Sequence, residues 1–413
     1  MSYLRGSIWR KWDLQVQPAK GEWFLNFDPE DSRVKSRVDS FLQEALNKGF
    51  QVIGITDHNF GGCIDVALSL IDKHNYDLVI LPGVELNTQE GWHVIIIFNP
   101  EYKNKVRCRT WNETVKNFLS FCQLPDPFDP NGNARPVGVT TVELIRKVFN
   151  EDIGIVVFSH CLSRNDGFFK RGNNASRREV INLHLQDGIF FVFDSKTFDL
   201  NIKGQIEKEI QDIIGNSNYK LTLPIISTSD AHSASDVGQY YTWIKADPTY
   251  EGLKQILYEP EERVFIGEEP ELLRRLRENP TKFIKSIFIS QTQGYDGKMG
   301  VWFKDIKIPI NPGLVAIIGN KGAGKSALLD IIALCGNSHQ YKEFSFLTEN
   351  RFKKDGLAKN FEATLEWEDG EKIFKNLGNE TDSTSPERVK YLPQNYFERL
   401  TNACLLYTSD AAD

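Results

Sequence analysis

Short apolar runs recur along the first two thirds of the chain, separated by longer stretches of mixed polarity. Residues 51–56, 78–81, 93–98, 153–158, 188–193 and 224–227 are dominated by Val, Ile, Leu and Phe. Runs of this length and composition predict buried strands. Arg37–Lys48 reads as the helix preceding the first run. Strands alternating with helices predict parallel pairing, in either a barrel or a large doubly wound α/β sheet.

The rhythm changes toward the C-terminus. Residues 125–136 are rich in Pro, Asn and Gly and predict a surface loop. Residues 268–282 are charged and helical, with Pro270 and Pro280 near their ends, as suits an interdomain connector. Beyond them Leu314–Ile318 predicts a buried strand and Ala327–Ala333 a helix. The expected organisation is a first domain over 1–267, a linker over 268–282 and a second domain over 283–403.

Between that strand and helix lie Gly319, Asn320, Lys321, Gly322, Ala323, Gly324, Lys325 and Ser326, which match G-x-x-x-x-G-K-[ST] in full. A glycine-rich turn entering a helix directs backbone N–H groups and the positive helix end at a phosphate chain. Lys325 is expected to reach the β- and γ-phosphates of ATP, and Ser326 to ligate Mg²⁺. A P-loop fold needs further strands, including one carrying a carboxylate for Mg²⁺. Residues 404–413 read as translated sequencing adapter, so the natural sequence is expected to stop at Ala403, inside this domain.

Composition narrows the setting. With 413 residues, two to three domains are expected. Formal charge is −7, which gives no general basic footprint for nucleic acid. The six cysteines form no C-x-x-C pair, which suits reduced thiols and a cytoplasmic protein. No apolar run approaches the roughly 18 residues of a membrane span, so no membrane partner is expected.

Metal-type residues cluster at the strand ends. Asp57 and His58 follow the run ending at Thr56, and Glu85 follows the run at 78–81. His93 opens the next run, His160 follows Phe158, and Asp230 and His232 follow the run at 224–227. In parallel α/β folds the C-terminal strand ends converge on one face, where sites assemble. Mixed His, Asp and Glu donors suit Zn²⁺, Mn²⁺ or Fe²⁺ better than all-oxygen cations. Paired metals stabilise both the attacking and the leaving oxygen of a phosphoryl displacement, so the chemistry indicated is phosphoester hydrolysis. Lys170, Arg171, Arg177 and Arg178 are either a phosphate-backbone contact or a solvated loop face, and Cys161 is either a chance soft ligand or a bystander.

Ile55–His58, Gly83–Glu85, His93, Ser159–His160 and Ser229–His232 resemble successive motifs of the PHP (polymerase and histidinol phosphatase) superfamily. The resemblance covers roughly residues 5–267. It implies a distorted (β/α)₇ barrel with a multinuclear metal site. Glu85, His93 and His160 would form a three-ligand site, and His58 and His232 part of another. Asp57 would be an outer partner or proton shuttle, catalytic together with His58. The opening Arg5–Asp13 and the P-loop resemble TrlF-type PHP–ATPase fusions, whose ATPase head is similar to SMC and ABC proteins. That likeness implies a head-to-head homodimer in the intact protein, and makes Gln394 a Q-loop residue sensing Mg²⁺ and the γ-phosphate. Lacking a signature motif and catalytic carboxylates, the chain is not expected to hydrolyse ATP. One departure stands out. The superfamily's first motif is His-x-His, and here it is Gln15 and Gln17. Amides are poor ligands for transition metals, so the ion shared with Glu85 and Asp230 should be weak or absent. Two readings stay open: a phosphoesterase acting on nucleic acid or nucleotides, coupled to ATP binding, or a non-catalytic scaffold attached to an ATPase.

Overall fold

The computed structural model describes residues 5–393 and Tyr396. The chain divides into two compact units, one spanning Ser7–Pro270 and one formed by the chain from Glu271 together with Arg5 and Gly6.

The first unit is a mixed α/β structure around a nine-stranded, barrel-like sheet. Its strands are β1 (Trp9–Val16), β2 (Val52–Ile55), β3 (Val79–Asn87), β4 (His93–Phe98), β5 (Gly154–Phe158), β6 (Val192–Asp194), β7 (Ile225–Ile226), β8 (Thr242–Lys245) and β9 (Val264–Phe265). They lie in the order β7-β6-β5-β4-β3-β2-β1-β8-β9. The chain just after β7 returns to β1. Ala231 pairs with Val16 in parallel, Gln17 N–H donates to Ala231 O at 2.9 Å, and Ala231 N–H donates to Gln15 O at 3.2 Å.

Side-chain alternation sorts the strand residues into two cores, as a barrel wall requires. Val94, Ile96 and Phe98 of β4 face the helices, alongside Val156 and Phe158 of β5 and Phe41, Leu42 and Ile64 of the surrounding helices. Ile95 and Ile97 join Trp12, Leu14, Val52, Leu81, Ile155, Val157, Val192 and Ile226 in a separate interior cluster, closed by Leu253 and Ile256. Glu85 shares its face of β3 with Leu81, and His93 shares its face of β4 with Ile95 and Ile97. The interior is therefore apolar along its length and turns polar at one end.

Pairing is not uniformly parallel. β1–β2–β3 and β5–β6–β7 are parallel, but β4 runs antiparallel to both β3 and β5. The cause is the connection: residues 88–92 join β3 to β4 by a tight turn, with Thr88 N–H donating to Trp92 O at 2.9 Å. No helix intervenes, so the chain must reverse. β3 also extends through Glu85 rather than ending before it. β6 and β7 are shorter than the apolar runs that contain them.

In the second unit β10 (Ile284–Gln291), β11 (Ile306–Pro309), β12 (Phe361–Trp367) and β13 (Lys372–Asn376) form an antiparallel sheet in the order β11-β10-β12-β13. The helix Lys325–Cys335 contributes Ile331 and Leu334 to the core with Ile287, Ile289, Phe361 and Leu365. A helix spans Glu271–Glu278. Leu314–Ile318 is not the buried strand its composition predicts: it makes no ladder, and Leu314 and Ile318 are 96% and 90% exposed. A strand is stabilised by neighbours on both the hydrogen-bonding and the packing side. Among the described residues nothing offers this segment either. Gln394 and residues 404–413 lie outside the described residues.

Asp13, fully buried on β1, ties the closure together. Its carboxylate accepts from Ser229 N–H at 3.0 Å and from Gly238 N–H at 3.0 Å. Leaving one buried and one part-buried amide unpaired costs about 1–3 kcal/mol each, the second less than the first. Asp13→Ala should therefore lower unfolding stability by at least about 2 kcal/mol in urea titration; a change within about 0.5 kcal/mol would remove Asp13 from this role.

Candidate metal centre

At the polar end of the barrel, six strand ends and the loops that follow them converge on a cleft of about 500 Å³. His58, Glu85, His93, His160, Asp166, Lys196, Asp230 and His232 all line it. Backbone pairing places the first two side by side: Asn59 N–H donates to Glu85 O at 2.9 Å, and Glu85 N–H donates to Asp57 O at 3.3 Å. Glu85 is the centre of the group, with its side chain 1% exposed. His93 Nδ1 lies 3.1 Å from Glu85 Oε1, and His58 Nε2 lies 3.5 Å from Glu85 Oε2. His160 Nε2 is 3.2 Å from His93 Nδ1.

Two of these positions need unfavourable backbone. His160 and Asp230 have φ of 31° and 52°, left-handed values that cost a non-glycine residue of order 1–3 kcal/mol. Each is held by its surroundings. Asp194 Oδ2 accepts from His160 N–H at 2.9 Å, and Asp194 O from Cys161 N–H at 2.8 Å. Asp230 sits between Ser229, bonded to Asp13, and Ala231, bonded to β1.

The electrostatics suit a cation. Burial alone would raise the Glu85 carboxyl, but the imidazoles of His58, His93 and His160 outweigh it and hold Glu85 well below the usual carboxylate range. Burial lowers His58 and so favours its neutral ring, with Glu85 opposing. Burial also opposes charging of His160, yet Asp166 and Glu85 overcome it and lift that imidazole to about 9. An ionised carboxylate among three imidazoles is a donor set for a dication that takes nitrogen and oxygen ligands. His58, Glu85 and His93 bring one donor atom each to within 4.8 Å of one another.

The Gln15 and Gln17 side does not fit such an ion. Gln15 Nε2 donates to Glu85 Oε2 at 3.2 Å and to Asp230 Oδ1 at 3.1 Å. Gln17 Nε2 donates to Glu85 Oε2 as well, and to Asp230 Oδ1 at 3.5 Å. Thr228 Oγ1 fixes Gln15 by donating to Oε1 at 3.0 Å. Two amides thus present N–H donors where a cation would need lone pairs.

Asp57 is placed differently from the ligands. It is buried behind the cleft, accepting from Ala19 N–H at 2.7 Å, and burial pushes its carboxyl up to about 7. Cys161 is buried with its thiol pushed well up by burial, and takes no part in the ligand groups. The basic residues near His160 are used internally. Arg177 donates to the carbonyls of Phe168, Arg171 and Gly172, Arg178 donates to Ile213 O, and Lys170 pairs with Glu209. Three further acidic residues and one lysine join the site, and only Asp194 stands at the end of an apolar run. Asp194 directly follows the run at 188–193 and was as legible as Asp57. Asp13 sits inside a strand, and Asp166 and Lys196 sit in loops without periodicity.

Residues 219–279 match the family model described as PHP-associated. That segment contains Asp230 and His232 but none of the other cleft ligands. No curated protein matches the chain. Among solved structures, PsfC from Pseudomonas syringae aligns at 13% identity and TM-score 0.35, over 60% of this chain and 88% of that one. Endonuclease Q, in complex with a duplex carrying an abasic lesion, aligns at 15% identity and TM-score 0.40, over 70% of this chain and 64% of that one. A Bifidobacterium adolescentis protein described as a metal-dependent phosphoesterase aligns at 13% identity and TM-score 0.34, over 60% and 95%. Likenesses this distant transfer no activity.

Asp194 fixes the backbone of His160, a candidate metal ligand, by accepting from its N–H. Partners of this kind typically change metal affinity by 10–100-fold when removed. Asp194→Ala should weaken Mn²⁺ binding by about tenfold or more in calorimetric titration, and unchanged affinity would show that His160 is held without it.

Proposed function

We propose that the Ser7–Pro270 unit is a metal-dependent phosphoester hydrolase acting on nucleic acid or nucleotide phosphoesters. The observation that carries this is the convergence of Glu85 with His58, His93, His160, Asp230 and His232 on one solvent-connected cleft. Glu85, His58, His93 and His160 would hold the metal, which when bound supplies Lewis-acid polarisation and an activated water. The chain's own residues do the rest. The imidazoles and Glu85 fix the position of positive charge. Lys196, whose Nζ lies 3.5 Å from Asp230 Oδ2, adds a cation to the cleft wall facing a phosphate. A cleft of about 500 Å³ admits a nucleotide-sized group.

Hydrolysis of bis(p-nitrophenyl) phosphate and of end-labelled oligonucleotides, with Mn²⁺ and after chelation, tests this. Activity should appear with Mn²⁺, vanish on chelation, and fall at least ~100-fold in Glu85→Gln, since a metal contributes several kcal/mol to the transition state. A second reading has its own support: the amides of Gln15 and Gln17 satisfy Glu85 and Asp230 without a cation. A protein that retains no metal and hydrolyses neither substrate would favour that reading, a scaffold rather than an enzyme.

We also propose that residues 319–326 bind a nucleoside triphosphate. The support is the motif, together with left-handed backbone at Gly322 and Gly324 immediately before the helix that starts at Lys325. Lys325 Nζ donates to Gly319 O at 2.6 Å and Asn320 O at 2.9 Å, so it already lies over the loop. Binding should be weak, because the segment before the loop is exposed, and no ATP turnover is expected. Fluorescent ATP-analogue titration should show affinity lost in Lys325→Ala; equal affinity in the variant would place any nucleotide elsewhere.

A further inference from the structure

We propose that Asp166 forms a transition-metal site with His93 and His160, a role that neither the motif resemblance nor the family match gives it. The proposal rests on the metal-binding part of the reading above, not on hydrolysis. His93 Nδ1 and His160 Nε2 are 3.2 Å apart, His160 Nε2 is 3.4 Å from Asp166 Oδ1, and His93 Nδ1 is 3.8 Å from Asp166 Oδ2. A tetrahedral ion with ligand bonds of about 2.0–2.1 Å holds its donors roughly 3.4 Å from one another. The separations lie close to that edge, with Asp166 Oδ1 toward His160 and Oδ2 toward His93, and one donor atom from each of the three residues lies within 4.8 Å of the others. Two histidines and one carboxylate, with the fourth corner toward the cleft, is the arrangement of catalytic rather than closed structural zinc sites.

The placement of Asp166 is built into the backbone. Its carbonyl accepts from His93 N–H at 3.1 Å, which fastens the loop to the start of β4. The loop turns tightly through Ser163 N–H to His160 O at 2.7 Å and Gly167 N–H to Ser163 O at 3.1 Å. A Cβ on Gly167 would meet Ser163 N and Ser163 O at 2.5 Å, so only glycine lets the chain come back at that point. Two ring nitrogens 3.2 Å apart and beside one carboxylate share either a proton or a cation. On the other side of Glu85 the amides of Gln15 and Gln17 close the corresponding volume to cations. The centre is thereby displaced toward the Asp166 loop.

The test is Zn²⁺ stoichiometry and affinity of the chelator-stripped, full chain, read by native mass spectrometry and competitive titration. Asp166→Ala should hold one ion fewer than the parent, or bind it more than about 100-fold more weakly, beyond the effect of losing an indirect partner. Asp166→Asn, which keeps the side chain's shape, should behave likewise, with thermal unfolding in the absence of metal confirming the fold of both. Arg164→Ala, on the same loop, should match the parent. Parental stoichiometry and affinity in both Asp166 variants would overturn the proposal and leave a plain Asp166–His160 ion pair. If Glu85→Gln loses zinc while the Asp166 variants keep it, the metal centre stands and only the role of Asp166 fails. A parent protein that binds no zinc removes both.

Discussion

The buried charge of Glu85 is the constraint around which the first unit is arranged. A carboxylate taken out of water costs several kcal/mol unless its neighbours restore what solvation gave. Here it stands at the end of an apolar barrel interior, ringed by His58, His93, Gln15 and Gln17. The amides come from β1 and its end, His58 from the end of β2 and His93 from β4, so the charge is tolerated only when β1, β2, β3 and β4 are all in register. The closure of the barrel is part of the same requirement. Asp13 holds the segment after β7 against β1, and that contact delivers Asp230 to the amides that also hold Glu85. Fold and site are two aspects of one polar network at one end of an apolar core.

That network explains why some of the site is readable from residue order and some is not. His58, Glu85, His93, His160, Asp230 and His232 stand at or near the ends of apolar runs, and a barrel brings run ends together whatever the details of pairing. The antiparallel course of β4 was not legible from composition, because a five-residue turn and a short crossover look alike. Asp166 lies in a loop, and only the hydrogen bond from His93 to its carbonyl shows that the loop folds back. The Gln15 and Gln17 amides are visible as an unusual pair, but their meaning depends on which carboxylates they face.

The second unit shows the opposite case. Leu314–Ile318 has the composition of a buried strand and lies exposed, since β-structure is a property of pairing rather than of one segment. The helix beginning at Lys325 forms nonetheless, because Ile331 and Leu334 find partners in Ile287, Phe361 and Leu365. The glycine-rich loop between this unpaired segment and the packed helix has only one of its two walls in place. The cleft in the first unit, by contrast, is lined by side chains from six strand ends and loops.

The most direct measurement is anomalous diffraction at the manganese edge from crystals of the full chain grown with Mn²⁺. The account predicts a peak within bonding distance of Glu85 and His93, on the side of Asp166 and away from Gln15 and Gln17. Ordered density for Glu85, His58, His93 and His160 with no anomalous peak among them would contradict it.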